Sequence, residues 1–412
     1  MSIHSRAMLG AVDQALTAAA HFLLGVMVAR LGGVAALGNF AFAYTVIVMA
    51  NMFHGALLGE VYSVNDAARA GQQKFGAGFL LAPTMMLAVA MVLISQFLLL
   101  WGGQGQAVST PSFIAALLLS TFLWSGKVYF YSDGAPLKTL LCSSVYTVAM
   151  LVTTAISYRV YGERASPFTG IGVGALLALL VVVPGLRGIA VWDDSMKVFL
   201  AACARYAKWS VPAAGLIWLA NNGYYLLMPG GSDFEQTAGL RAILNLMVPF
   251  NTLLVGASAA LLPVLAQVNR ERGRIELGAV THRMAGAVFL AAALFALVMG
   301  IVSGKVLGVV YGSHFVQFSA ALQVASMLPA LWGVAVVYRT SIRALGESFD
   351  LFKVYFFALF PVGIILMVVL SAGGAARAVI GVALTQLLVV AGFIYRFVVM
   401  TRERCEVQFR QS

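Results

Sequence analysis

Charged residues are scarce in this chain, and their scarcity excludes a soluble globular protein. Of the 412 residues, only 10% are charged and 61% are hydrophobic, and the mean hydropathy is +0.92. A soluble domain carries roughly 25% charged residues, which cover its surface. Because this chain lacks such a polar coat, we expect most of it to lie in lipid.

Cysteine is rare as well, and the motifs of common enzyme classes are missing. Cys142, Cys203 and Cys405 show neither a disulfide framework nor a CxxC metal spacing. The sequence contains no HExxH zinc motif, no GxSxG nucleophile elbow and no P-loop. We therefore expect no disulfide, no metal, no cofactor and no enzymatic activity.

Apolar stretches long enough to cross a bilayer, which takes about 20 residues, recur along the whole chain. They lie at residues 8–30, 37–62, 77–101, 111–131, 137–160, 168–190, 209–228, 239–264, 282–303, 318–338, 351–371 and 377–400. The first stretch contains Asp13 and His21 and is expected to be a retained helix, not a cleaved signal. Spans 3 and 9 carry no ionisable side chain and are expected to face lipid. The predicted fold class is all-α, a polytopic membrane protein of about twelve transmembrane helices.

The basic residues predict how these spans are oriented. With the spans alternating, 20 of the 26 Lys and Arg residues fall on the side of the N-terminus. Basic residues favour the cytoplasmic side of a membrane, so both termini are predicted to be cytoplasmic. The net charge of +11 is then a consequence of topology and requires no nucleic acid partner.

A polar connection near the midpoint predicts two six-helix lobes. Residues 191–208 would form a cytoplasmic linker between an N-terminal lobe (1–190) and a C-terminal lobe (209–412). Leu31–Gly33 and Gly38–Phe40 join spans 1 and 2, as Pro229–Gly231 and Gly239–Arg241 join spans 7 and 8. An even number of spans per repeat predicts a pseudo-two-fold axis along the membrane normal.

Polar side chains concentrate in the first two spans of each half. Spans 1 and 2 contain Asp13, Thr17, His21, Tyr44, Asn51, His54 and Glu60, and spans 7 and 8 contain Trp218, Asn221, Asn222, Tyr224, Tyr225, Arg241, Asn245 and Thr252. An intramembrane charge costs about 2.5–3.5 kcal/mol on insertion scales, so such a cluster indicates a wet interior path.

Each of these residue types also has an ordinary structural interpretation. Arg30 and Arg241 fall near predicted outer helix ends, where arginines reach the headgroups. Asp13 and Glu60 lie near inner ends, where they could be solvated or paired with nearby bases. His21 and His54 could be neutral core histidines, and the aromatic residues of span 7 could form an interfacial belt.

Several segments resemble the corresponding parts of Wzx-like polysaccharide flippases of the multidrug/oligosaccharidyl-lipid/polysaccharide (MOP) superfamily. In the first half these are Asp13–Leu16, Phe22–Gly25, Ala29–Gly32 and Leu37–Tyr44. In the second half they are Lys208-Trp209, Trp218–Gly223, Ala238–Ala242 and Leu262-Pro263. The resemblance around these segments covers about a quarter of the chain closely; the remainder is similar only in helix count and loop length.

The resemblance implies two lobes around a central cavity lined by helices 1, 2, 7 and 8. The implied substrate is an undecaprenyl-diphosphate-linked oligosaccharide, which is moved across the bacterial inner membrane for surface or exopolysaccharide synthesis. The implied mechanism is alternating access coupled to a proton or sodium gradient. Membrane lipid, the lipid-linked glycan and the polysaccharide polymerase or export machinery are the implied partners.

On this interpretation the polar residues divide into three sets. The diphosphate would bind Arg241, Arg30, Lys127 and Arg339, since cationic donors match phosphate oxygens. The sugars and the cavity wall would involve Asn51, Trp218, Asn221, Asn222, Tyr224, Tyr225, Asn245 and Thr252. Ion coupling would involve Asp13, His21, His54 and Glu60, because a carboxylate beside an imidazole can exchange a proton near neutral pH.

Two other functions fit parts of the same pattern. A multidrug or cation antiporter of the same superfamily would use Asp13 for cation exchange. A non-transporting membrane subunit of a polysaccharide synthesis complex would need soluble or catalytic modules, and the sequence shows none.

The predicted topology can be tested with reporter fusions. Because the basic residues alternate between sides, fusions at Gly103, Pro229 and Gly373 should report an external location. Fusions at Gly71, Gly273 and Gly346 should report a cytoplasmic one. A single span that inverts every downstream fusion would contradict the two-lobe arrangement.

Overall fold

The computed structural model describes residues 3–59, 61–62, 78–101, 111–185, 194–228, 234–345 and 348–411. Regular structure in these ranges is helical throughout, as the all-α prediction requires. The α-helices, numbered in chain order, are α1 (Ile3–His54), α2 (Gly78–Trp101), α3 (Pro111–Ser132), α4 (Pro136–Tyr161), α5 (Pro167–Val182), α6 (Asp194–Leu227), α7 (Phe234–Val310), α8 (Ser319–Ala325), α9 (Leu328–Ala344), α10 (Ser348–Ala358), α11 (Ile364–Ser371) and α12 (Gly374–Gln411). Single π-helical turns at Gly55–Gly59 and Leu359–Gly363 follow α1 and α10.

Two of the long helices are each broken at a glycine. Gly33 in α1 has φ 80° and Gly273 in α7 has φ 81°, a backbone conformation that only glycine adopts readily. Each helix is therefore a pair of helices joined at a sharp break. The break at Gly33 lies where the sequence predicted the turn between spans 1 and 2.

The helices form a multi-pass membrane protein. Seven segments of the described residues are long and apolar enough to cross a bilayer, and one of them, Met8–Gly59, has 52 residues and so has the length for two crossings. The most apolar windows of Val264–Val310 and Leu80–Phe97 are only 17% and 33% buried, the lowest values among the seven segments. These two segments therefore present apolar side chains outward, and lipid contact of spans 3 and 9 stays a prediction.

The chain divides into two compact units. Unit 1 comprises Met1–Trp218 with Pro229–Arg241, and unit 2 comprises Leu219–Met228 with Ala242–Ser412. Residues 194–208 of the predicted linker form the first turns of α6, and residues 191–193 lie outside the described residues. The predicted lobe boundary at residues 191–208 stays a prediction.

Glycines on two faces of α5 determine how the core of unit 1 packs. A Cβ at Gly170 would lie 2.7 Å from the carbonyl oxygen of Met150 in α4, and one at Gly174 would lie 2.9 Å from that of Tyr146. A Cβ at Gly172 would approach the backbone of Ala116 in α3 at 3.6 Å. Small residues let membrane helices approach closely, so α5 packs tightly against both α4 and α3.

Unit 2 is held together by polar contacts around α12. The Asp350 carboxylate in α10 lies 3.1 Å from the Arg396 guanidinium in α12 and 3.2 Å from Lys353. The Tyr338 hydroxyl of α9 lies 2.6 Å from Nδ1 of His282 in α7. The Phe397 ring of α12 packs against both His282 and Tyr338, at centroid distances of 6.1 and 5.5 Å, so these contacts together join α7, α9, α10 and α12.

The tight glycine packing can be tested at Gly170. Gly170→Ala adds a methyl group against Thr154 and the Met150 carbonyl, and overpacking of this kind costs about 1–3 kcal/mol. We expect a lower unfolding temperature for the detergent-solubilised protein. Gly286→Ala is the matched control because an added Cβ there meets no atom within 4 Å. Equal unfolding temperatures for the two variants would contradict this account of the packing.

Candidate functional site

A small polar cavity lies inside unit 1, between both halves of α1, α3 and α4. Its volume is about 50 Å³. The lining residues are Thr17, His21, Tyr44, Ile47, Asn51, Ser120, Leu123, Trp124, Lys127, Ser143 and Tyr146. Most of these side chains carry a polar atom, which is costly in a membrane helix bundle unless the atom is bound. The cavity is therefore the first candidate for a ligand site.

Helical periodicity brings these side chains together. Thr17 and His21 are four residues apart in the first half of α1, and Ser143 and Tyr146 are three apart in α4. Ser120, Trp124 and Lys127 follow the same rule in α3. Residues three or four apart share one helix face, so each helix presents one polar stripe to the cavity.

A buried ion pair stands beside the cavity. Nζ of Lys127 lies 2.9 Å from Oδ2 of Asp13, and the two side chains are 5% and 0% exposed. The Tyr131 hydroxyl donates to the same Oδ2 at 2.6 Å, and Lys127 donates to the Thr17 hydroxyl at 3.3 Å. The predicted coupling residue Asp13 and the predicted diphosphate ligand Lys127 are thus each other's partners.

Three polar atoms at the cavity wall are buried without a hydrogen-bond partner. They are Nδ1 of His21, Oδ1 of Asn51 and Oγ of Ser143. The His21 ring packs between Tyr44 and Tyr146, at centroid distances of 5.3 and 5.7 Å. Unsatisfied buried polar groups are rare in proteins, so water or another polar ligand in the cavity would give these three atoms partners.

Arg241, the principal arginine of the sequence prediction, belongs to unit 1 and is only 8% exposed. Its guanidinium carbon lies 4.7 Å from the ring centroid of Tyr44 and 5.7 Å from that of Phe40, both in α1. Its Nε has no hydrogen-bond partner. In the described part of the chain no carboxylate is paired with this guanidinium. The faces of these two rings stabilise the guanidinium cation but do not accept hydrogen bonds from its N–H groups in the ring plane.

The position of Arg241 depends on a close approach of two backbones. A Cβ at Gly38 in α1 would collide with the carbonyl oxygen of Phe234, the first residue of α7. Only glycine permits this contact. The first turns of α7 therefore lie against α1, which sets Arg241 over Tyr44.

The other residues predicted in unit 1 lie apart from the cavity wall. Nε2 of His54 lies 2.6 Å from the Ser125 hydroxyl, and Nε1 of Trp218 donates to the Thr45 carbonyl oxygen at 2.9 Å. Arg30 is exposed. Glu60 lies outside the described residues.

The residues predicted in unit 2 form separate contacts. Asn221 accepts a hydrogen bond from Gln386 at 3.2 Å, and Tyr224 contacts the Thr385 hydroxyl at 3.0 Å. Asn245 donates to the Tyr311 hydroxyl at 2.8 Å. Thr252 bonds the Val248 carbonyl of its own helix. In addition, Tyr225 is buried, and Asn222 and Arg339 are half-buried.

The sequence interpretation missed the walls contributed by α3 and α4. It did not single out Ser120, Trp124, Tyr131, Ser143 or Tyr146 as site residues. The signal was present in α3, where Ser120, Trp124 and Lys127 follow i, i+4, i+7 spacing. Polar residues at that spacing in an apolar helix mark a face that meets other polar groups.

The buried acidic and basic side chains do not cancel each other's charge. Among the described residues the buried acids are Asp13 and Asp350, and each is paired with a basic side chain. The buried bases are Lys127 and Arg241. Since Lys127 neutralises Asp13, the described interior of unit 1 carries one uncompensated positive charge, on Arg241. No cluster of three or more His, Cys, Asp or Glu that could hold a metal occurs in the described residues.

No protein-family model and no curated protein sequence matches the chain. Solved structures do match. An inward-facing multidrug resistance MATE family transporter of the MOP superfamily has a TM-score of 0.78 and 14% identity, covering 97% of this chain and 96% of that chain. Lipid II flippase MurJ, in an inward closed conformation, has a TM-score of 0.71 and 13% identity, covering 96% and 87%. The eukaryotic MATE transporter AtDTX14 has a TM-score of 0.70 and 15% identity, covering 97% and 98%.

These similarities define the fold. The chain has the fold of MOP superfamily transporters over nearly its whole length. The similar structures are transporters and a flippase, not enzymes. Because the identities are low, the fold alone does not distinguish a drug from a lipid-linked substrate.

The buried ion pair can be tested by removing one or both charges. Asp13→Asn leaves the Lys127 ammonium buried without an anion, which costs about 3–5 kcal/mol. We expect a lower unfolding temperature for this variant. The double variant Asp13→Asn with Lys127→Met should recover most of the loss, because a neutral pair of similar volume has no desolvation penalty.

Asp133→Asn serves as the control for this test because its carboxylate is exposed, and exposed substitutions change stability by about 0.5 kcal/mol or less. Thermal unfolding in detergent measures all three variants. A double variant no more stable than Asp13→Asn alone would contradict the assignment of Lys127 as the partner of Asp13.

Proposed function

We propose that the protein is a flippase for an undecaprenyl-diphosphate-linked oligosaccharide, working by alternating access in the bacterial inner membrane. The observation that carries the proposal is the buried Arg241 guanidinium, which faces two ring planes and no described carboxylate. A buried cation without an anion is costly. An anionic substrate would supply the missing partner during transport.

The charge pattern favours this substrate over a cationic drug. A cation antiporter needs a carboxylate that is free to bind a proton or a cation in turn. Asp13 is held by Lys127 and Tyr131, and Asp350 by Arg396. In the described residues both buried carboxylates are thus paired with a basic side chain, whereas the buried Arg241 has no acidic partner, which favours a diphosphate over a cationic drug.

Guanidinium chemistry suits the diphosphate in particular. Its planar fork can donate two parallel hydrogen bonds to phosphate oxygens, which an ammonium cannot do. Arg30, which is exposed, and Arg339, which is half-buried, remain secondary proposals for capturing or releasing the headgroup. Lys127 is a weaker candidate because Asp13 already occupies it.

The sugar portion would contact amide and aromatic side chains. Asn51 supports this role best, since its buried Oδ1 has no partner. Asn221, Asn222, Tyr224, Tyr225, Asn245, Thr252 and Trp218 remain proposals as further contacts. Several of them are already hydrogen-bonded within their own unit, so substrate contact would require those bonds to be exchanged.

A gradient-coupling role for Asp13, His21, His54 and Glu60 also remains a proposal. Lys127 and Tyr131 both contact Oδ2 of Asp13, and Oδ1 has no hydrogen-bond partner. A proton or cation would therefore bind at Oδ1 or take the place of Lys127. We include three further points in the proposal. Transport is coupled to a proton or sodium gradient, both termini are cytoplasmic, and the protein associates with the polysaccharide polymerase or export machinery.

Multidrug export is the second candidate. The observation favouring it is that the solved structure with a TM-score of 0.78 is a multidrug resistance transporter. The flippase MurJ is similar to the chain as well, with a TM-score of 0.71. Since both kinds of transporter share this fold, the fold does not choose between them. The charge pattern therefore decides in favour of the flippase.

The proposal is tested by substituting Arg241. Loss of one charge-assisted hydrogen bond costs about 1.5–3 kcal/mol, so Arg241→Ala should weaken binding of polyprenyl-diphosphate lipid roughly ten- to a hundredfold. Arg241→Lys should recover only part of the affinity, because a lysine ammonium cannot donate two parallel hydrogen bonds to phosphate oxygens. Binding to the purified protein and flipping in proteoliposomes are both measured.

Arg159→Ala is the matched control, since this arginine lies on the same predicted outer side but is exposed. It should bind and flip the lipid as the unmodified protein does. Thermal unfolding confirms that each variant is folded. If Arg241→Ala is folded and still binds and flips the lipid normally, the diphosphate site is elsewhere.

A further inference from the structure

The cavity in unit 1 is too small for a sugar but large enough for an ion. Its volume is about 50 Å³, and one water needs roughly 10–15 Å³ of such volume. About three to five waters, or one halide-sized ion with some water, would fill it. With the cavity at this size the occupant is smaller than a sugar, and the lipid-linked oligosaccharide would reach Asn51 only after the cavity widens.

The wall of the cavity presents the positive end of the buried ion pair. Lys127 lines the cavity, whereas Asp13 does not. An ammonium has three N–H donors, and Asp13 and Thr17 account for two of them. The third donor has the Trp124 ring nearby, 5.3 Å from Nζ, and is available to an anion.

Other groups on the wall can donate as well. The Ser143 hydroxyl is buried without a partner, in a residue only 2% exposed, and Nδ1 of His21 has no partner either. Tyr44 and Tyr146 add phenol groups to the lining. The Asn51 amide can rotate by 180° so that its NH₂ group faces the cavity, because its oxygen and nitrogen are nearly equal in size.

Charge decides between a cation and an anion. In the described part of unit 1, the buried charged side chains are two bases, Lys127 and Arg241, and one acid, Asp13. Arg241 lies against Tyr44, whose ring is part of the cavity wall. In a medium of low dielectric constant this excess positive charge repels a cation and attracts an anion.

We propose that the cavity between α1, α3 and α4 binds a small monovalent anion of the size of chloride. The Lys127 ammonium and the Ser143 hydroxyl hold it, and Arg241 supplies the balancing charge behind Tyr44. The anion is distinct from the lipid-linked substrate, although the site shares Arg241 and Asn51 with the flippase proposal, and it would give the Ser143 hydroxyl a partner.

The test uses the purified full-length chain in detergent, without any lipid substrate, so a failure of the flippase proposal would not affect it. The unfolding temperature is measured while sodium gluconate is replaced by sodium chloride or sodium bromide at constant ionic strength. A ligand that binds only the folded state raises this temperature in a saturable way. We expect such a rise with chloride and bromide.

A pair of adjacent serines provides the matched variants. Ser143→Ala removes the proposed ligand and should weaken the apparent halide affinity about tenfold. Ser144→Ala should leave that affinity unchanged, because the Ser144 hydroxyl bonds the Leu140 carbonyl within α4. Lys127→Arg keeps the charge and should retain saturable binding.

Three results would overturn the proposal. One is an unfolding temperature that depends on ionic strength alone, with gluconate equal to chloride. Another is a shift that follows the cation when choline chloride replaces sodium chloride. The third is an identical halide response in Ser143→Ala and Ser144→Ala, since the bound anion would then not touch Ser143.

Discussion

Burial of charge among apolar helices is the constraint on which the rest of this structure depends. Little water reaches a side chain packed among apolar helices, so an ionised group there is stable only when another charge or a set of dipoles replaces its hydration. Asp13 and Lys127 satisfy each other, as do Asp350 and Arg396. Arg241 has only the faces of Tyr44 and Phe40. The account of function follows from this difference.

The glycines make this arrangement possible. Gly170, Gly172 and Gly174 bring α5 close to α4 and α3, two of the helices that form the walls of the polar cavity. Gly38 brings the start of α7 against α1 and so places Arg241 over Tyr44. Close packing of helices and the placement of polar groups are thus two results of the same small residues. The fold is shared with a multidrug transporter and a lipid flippase, so the placement of charges carries the functional argument.

Much of the fold could be predicted from the sequence because hydropathy is a local property. The break at Gly33 and the outward-facing character of spans 3 and 9 both followed from residue type alone. The pairing of Asp13 with Lys127 did not, because the two residues are 114 positions apart and their contact depends on how α1 and α3 are rotated. The sequence indicated that Asp13 was unusual, but only the structure shows that its charge is already compensated. For the same reason Ser143 could not be recognised as a wall residue.

The central claim is that the interior is selective for an anionic lipid through one uncompensated cation. The most direct measurement compares the affinity of the purified protein for polyprenyl diphosphate, polyprenyl monophosphate and a lipophilic cationic drug at one ionic strength. The account predicts the tightest binding for the diphosphate, weaker binding for the monophosphate and no saturable binding for the cation. Saturable binding of the cation, with none of the diphosphate, would contradict it.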